Sequence, residues 1–115
     1  MEKFLYFMQQ TDGIFNADND AYCVPTSKFR GFKANGTTTE LEMHFESLLG
    51  IGADIAAVDK VILTITENKH KEVIEAISDK ITFGTDPFVV VSDGSNSVFA
   101  HSDVTACVIT VTAAA

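Results

Sequence analysis

Thr39-Glu40-Leu41-Glu42-Met43-His44-Phe45-Glu46 is the stretch that decides the fold class. Leu41, Met43 and Phe45 alternate with Glu40, Glu42, His44 and Glu46, the two-residue period of a strand with one buried and one wet face. Just upstream stands Asn35-Gly36, the dipeptide that most readily supplies two positive φ angles, so Thr26 to Ala34 is expected to fold back as the hairpin partner. Simple pairing across that turn sets Arg30 against Leu41 and Phe29 against Glu42, which puts charge on the apolar face. A bulge at Gly31 repairs the pattern by pairing Phe29 with Leu41, Arg30 with Glu40 and Lys28 with Glu42.

Outward from this hairpin, residues 1 to 8 read as a first strand, joined by strands at Val61 to Thr66, Phe88 to Ser92, Val98 to His101 and Val104 to Thr112. Pro25 lacks a backbone donor and marks a strand edge or a break between two short strands. Phe88-Val89-Val90-Val91 has no polar alternation, which predicts a strand covered on both faces at the centre of the core. Asp93-Gly94-Ser95-Asn96 makes the tight return after it. One amphipathic helix is predicted over about 69–81, with Val73, Ile74, Ile77 and Ile81 as its apolar stripe and Asn68 as its N-cap. Residues 50 to 59 fit neither period and hold a short helical turn at most. Together these elements predict one mainly β domain, residues 1–115: an antiparallel barrel or sandwich of seven to eight strands with the helix over one open end. By fold analogy, a small Sm-like or SH3-like barrel is the nearest familiar architecture.

Composition narrows the partners. Sixteen acidic residues against eight Lys and Arg leave a net charge of -8, which repels phosphate backbones and anionic head groups over most of the surface. Nucleic acid and membrane are therefore disfavoured. The N-terminal apolar stretch is too short for a signal peptide, and no run is long enough to span a bilayer, so the expected setting is the cytoplasm or a particle made there. Cys23 and Cys107 lie in strand-like stretches without CxxC spacing and are expected to be buried free thiols.

Few residues point to chemistry. Lys28-Phe29-Arg30-Gly31-Phe32-Lys33 interleaves bases with aromatics and opens like an RNA-recognition strand. Lys33-Ala34-Asn35-Gly36 then departs from that signature, and Glu40 and Glu42 are expected to neutralise Arg30 and Lys28 across the hairpin. Asn68, Lys69, His70 and Lys71 crowd basic groups into the first helical turn, where the macrodipole disfavours cations, so an anion site is one reading and a solvent-screened face with Glu72 and Glu75 the other. Asn16, Asp18 and Asp20 have the alternate spacing of calcium ligands but lack the loop's glycine and final glutamate. Gly50 and Gly52 lack the third glycine and the βαβ setting of a dinucleotide site. His101, Ser102 and Asp103 are neighbours in the chain and cannot relay a proton as a triad, and without paired ligand spacing His44, His101 and the cysteines support no metal. No catalytic residue, cofactor or metal is expected. Leu48, Leu49, Ile51, Ile55 and Val58 make an apolar series in a segment of no regular period, which either seals the core as a lid or meets another subunit.

Val61-Ile62-Leu63-Thr64-Ile65-Thr66, with Lys69-His70-Lys71-Glu72-Val73-Ile74 after it, resembles the small structural proteins of marine tailed phages, including those of cyanophages. Asp86 to Val91 and His101 to Cys107 extend that likeness over residues 61–107. The resemblance implies a virion component that works by assembly, with itself or other virion proteins as partners and no active-site residues. The sequence thus favours a non-enzymatic, self-associating structural protein, with a small module for an anionic ligand at Asn68 to Lys71 as the alternative.

Overall fold

The computed structural model describes residues 3–9, 20–46, 58–94 and 96–111, with the backbone alone at Val58 and Val111. Among the described residues, eight strands and one α-helix run in the order β1 (Phe4–Met8), β2 (Ala21–Pro25), β3 (Phe29–Ala34), β4 (Glu40–Glu46), β5 (Val58–Ile65), α1 (His70–Thr82), β6 (Phe88–Asp93), β7 (Val98–Phe99) and β8 (Val104–Val111), with a 3-10 turn at Thr26–Lys28 between β2 and β3. The strands form two four-stranded sheets, ordered β2-β1-β6-β7 and β3-β4-β5-β8, packed as an open sandwich and not as a closed barrel. The expected mainly β sandwich with one helix holds, whereas the Sm-like or SH3-like barrel does not; β1 and β6 pair in parallel, and the strand expected at Val98 to His101 is only Val98–Phe99.

The β3–β4 hairpin carries the expected bulge but in a different register. Phe29 lies opposite Phe45 and Gly31 opposite His44, with Arg30 as the unpaired extra residue, and the strands then continue with Lys33 opposite Glu42 and Ala34 opposite Leu41. Asn35 explains the shift. Its side-chain oxygen accepts the Thr37 N–H at 3.0 Å and its amide donates to Glu40 at 2.8 Å, which opens a wide connection in which only Gly36, at φ +90°, needs a positive angle. The carbonyls of Thr38 and Thr39 then accept from Asn68 and Ile65, so the connection is fixed by β5 and the start of the helix.

Asn68 is not the N-cap. It sits in the left-handed region at φ +62° in the turn out of β5, and Lys69 takes the cap position without a side-chain cap bond. The helix reaches from one sheet to the other: His70 Nε2 lies 2.8 Å from the Glu40 carbonyl, while Val73 and Ile77 are fully buried in the core. Gly84 stands just beyond the last turn, where a Cβ would meet the Lys80 carbonyl oxygen at 2.5 Å, so the exit towards β6 requires glycine.

The interior is filled from both sheets: Leu5, Phe7, Tyr22, Val24, Val89 and Val91 face Leu41, Met43, Phe45, Val61, Leu63 and Ile109. Phe45 packs edge-on to Phe7 and Tyr22, each with ring centres 5.7 Å apart. Beside these rings the buried Tyr22 hydroxyl donates to Asp59 Oδ2 at 2.7 Å, joining the sheets. Val58 and Asp59 belong to β5, which begins earlier than the sequence pattern indicates. The β6 run is covered on one face only: Val89 and Val91 are buried, whereas Val90 is half-buried and Phe88 is 51% exposed. Tyr22→Phe keeps the ring and removes the donor to a buried carboxylate, so urea denaturation should show a loss of about 1–3 kcal/mol, with Asp59→Asn in the same background recovering part of it.

Candidate functional site

The two sheets present different outer faces. On the second sheet Glu42, His44, Lys60 and Thr64 lie outward, opposite the buried Leu41, Met43, Val61 and Leu63. Glu42 is nearly covered there, and its Oε1 lies 2.8 Å from His44 Nε2. Burial pushes its carboxyl up, but hydrogen bonds from His44 and Asn35 and the charges of Lys60 and His44 outweigh this and hold it below the ordinary carboxylate value. On the first sheet the outward side chains are Phe4 and Tyr6 of β1, Cys23 of β2, Phe88 and Val90 of β6, and Val98 of β7. Phe4 is 44% and Val98 45% exposed, and the rings of Tyr6 and Phe88 touch with centres 5.3 Å apart. None of these six side chains is charged. Asp93 ends this face, buried and hydrogen-bonded to Asn96.

A third feature lies along the outer side of β3 and β4, where Arg30, Gly31, Phe32, Lys33 and His44 line a recess of about 320 Å³. Another cavity, of about 250 Å³, runs between the end of α1 and the β6–β7 pair and is lined by Lys80, Asp86, Phe88, Val90 and Val98 among others.

The anion-site residues do not converge. Lys69 pairs with Glu72 at 3.8 Å, His70 turns inward to the Glu40 carbonyl, and Lys71 stands exposed on the first turn of the helix. Of the self-association series, Leu48, Leu49, Ile51 and Ile55 lie outside the described residues, and Val58 is placed by its backbone opposite Glu46. Asn16, Asp18, Gly50 and Gly52 also lie outside them. His101 and Asp103 close the turn into β8, with Nδ1 of His101 accepting the Asp103 N–H at 3.1 Å. Among the described residues no three His, Cys, Asp or Glu side chains gather as a metal site requires, and no helix is long and apolar enough to cross a membrane.

Neither the apolar outer face of the first sheet nor the recess beside β3 is apparent from residue pattern. The signal for the face is present in Phe4, Tyr6, Phe88 and Val90, but an unbroken apolar strand does not disclose whether its second face is covered. Protein-family models, curated proteins and solved structures yield no match to this chain. Its chemistry must be argued from its own residues.

The two cysteines differ. Cys23 is exposed on the outer face of β2, contrary to the expectation of a buried thiol, because β2 is an edge strand whose alternate residues point away from the core. Cys107 is buried and donates to the Met8 carbonyl at 3.4 Å. Burial raises both thiols above their ordinary value, and Asp93 further raises Cys107. A disulfide reagent should therefore modify one thiol in the native protein, faster as pH rises, and both after unfolding; peptide mapping should assign the first to Cys23. Glu42 makes stability depend on pH. Because its folded value lies below the unfolded one, its stabilisation is present above about pH 4.5 and is lost as pH falls through the lower folded value. Acid titration monitored by circular dichroism should show a flatter approach to unfolding in Glu42→Gln than in the parent.

Proposed function

We propose that this protein is a non-enzymatic assembly subunit that associates with further copies of itself through the uncovered outer face of the β2-β1-β6-β7 sheet. One observation carries the reading: Phe4, Tyr6, Cys23, Phe88, Val90 and Val98 lie side by side on that face with no charge among them, while Phe4, Phe88 and Val98 are each close to half exposed. Contiguous apolar area of this kind marks an interaction surface. Charge selects the occupant. Two copies that each carry a net charge of -8 repel one another over most orientations, and this face, whose only acidic strand residue is the buried Asp93 at its end, is where that repulsion opposes burial of apolar area least. A self-paired face also satisfies the two-fold symmetry by which most homo-oligomers form.

The resemblance of residues 61–107 to virion proteins of marine tailed phages supports the same reading, since virion subunits act by repetitive contact. The segment from Leu48 to Val58 is a second candidate contact in such an assembly.

Sedimentation velocity from micromolar to millimolar protein at ~0.15 M salt should show a concentration-dependent dimer or larger species. Phe88→Glu combined with Phe4→Glu should return it to monomer, whereas Glu substitutions on the outer face of the second sheet, at Val108 and Thr110, should leave association intact. A parent protein that stays monomeric throughout this range would overturn the proposal.

A further inference from the structure

We infer that the recess between β3 and β4 is a binding site for a small dianion, a phosphate monoester or a dicarboxylate, held between Arg30 and Lys33. This goes beyond the assembly role and rests on a different face of the molecule.

The bulge creates the site. Because Phe29 pairs with Phe45 and Gly31 with His44, Arg30 is left out of the ladder with no residue of β4 opposite it. The neutralisation expected from Arg30–Glu40 and Lys28–Glu42 pairs is thereby removed: Glu40 accepts from Asn35, and Lys28 pairs with Glu46 at 3.5 Å. Lys33 lies opposite Glu42 in the ladder, yet the charges that hold the Glu42 carboxylate are those of Lys60 and His44, with hydrogen bonds from His44 and Asn35. Arg30 and Lys33 both stand exposed at the rim of the recess.

Shape agrees with charge. Gly31, opposite His44, lies at φ +147°, a conformation the bulge reserves for glycine, and a Cβ built there meets nothing within 4 Å. The space above this backbone is therefore open. Phe32, opposite the buried Met43, packs edge-on against Phe29 on the core side of the strand, with ring centres 5.0 Å apart, and anchors the backbone that carries the two cations. A guanidinium that offers a planar fork and an ammonium that offers a point charge suit a doubly charged head group. The recess is broadly open to solvent, so a small head group can reach both side chains. The net charge of -8 works against a polyanion such as nucleic acid, whose backbone would extend beyond the recess over acidic surface, whereas a compact dianion stays beside Arg30 and Lys33.

The test is a heteronuclear NMR titration of the full chain at low ionic strength with inorganic phosphate, phenyl phosphate, phthalate and, as a monoanion, acetate. Saturable shifts should cluster on Arg30 to Lys33 and His44. Phenyl phosphate or phthalate should bind more tightly than acetate, and whichever of the two binds better assigns the head group. Arg30→Ala with Lys33→Ala should weaken binding about tenfold or more, while Lys69→Ala with Lys71→Ala leaves it unchanged. Both pairs of positions are exposed, and an unchanged melting temperature will show that each variant folds. Shifts confined to residues 68 to 72, affinity that survives loss of Arg30 and Lys33, or acetate binding as well as the dianions would each overturn the inference. None of these outcomes bears on self-association, which the sedimentation experiment reads separately.

Discussion

Tyr22 of one sheet donates to Asp59 of the other through a buried bond of 2.7 Å, within a group of rings that includes Phe7 and Phe45. A carboxylate this deep in a protein is tolerated only where donors replace the water it has lost. The consequence runs both ways. Burial, the hydrogen bond and the charge of Asp59 push the Tyr22 phenol well above its ordinary value, so the donor is retained. Rings supply most of the area around this contact, and the polar bond fixes which ring stands where. The sandwich is thereby held in one arrangement, since any slide of β2 along β1 would part Tyr22 from Asp59.

With the inner faces so occupied, the outer faces are free to differ, and they do. The second sheet bears carboxylates, a histidine and a lysine on its outer side, as an antiparallel sheet with one wet face should. The first sheet bears aromatic and aliphatic groups on both sides. Its edges are nonetheless guarded. β2 ends at Pro25 and β7 is only Val98–Phe99, while β3 of the other sheet is interrupted by its bulge and lined with cations, and Gln9 accepts from the Ile109 N–H at the margin of β8. Contact by lateral strand addition is thus discouraged, and the assembly reading relies on face-to-face packing.

Much of this was legible from residue pattern. The alternation in β4, the isoleucine spacing in α1 and the break at Pro25 all correspond to local periodicities that burial enforces directly. The hairpin register was not, because the wide turn that Asn35 opens is held by bonds from the Asn68 and Ile65 N–H groups to the carbonyls of Thr38 and Thr39, and the positions of those donors depend on the whole of β5. The recess is hidden for the same reason, since a bulge at Gly31 would set Glu40 and Glu42 against Arg30 and Lys28, whereas the observed bulge leaves Arg30 itself without a partner in the ladder. Likewise, the apolar run in β6 announces a strand inside its sheet but is silent on which neighbour is missing from its outer side.

The parallel pairing of β1 with β6 joins residues 4–8 to residues 88–93 and makes β1 an interior strand of its sheet. Closing so long a span has a large entropic cost before any contact rewards it, and such topologies fold slowly. On the ribosome, β1 emerges well before β6 and must wait for all of residues 9–87 before its partner exists. The β3-β4-β5 meander, built from chain neighbours, can form during that interval, so the second sheet serves as the template against which the first is later completed.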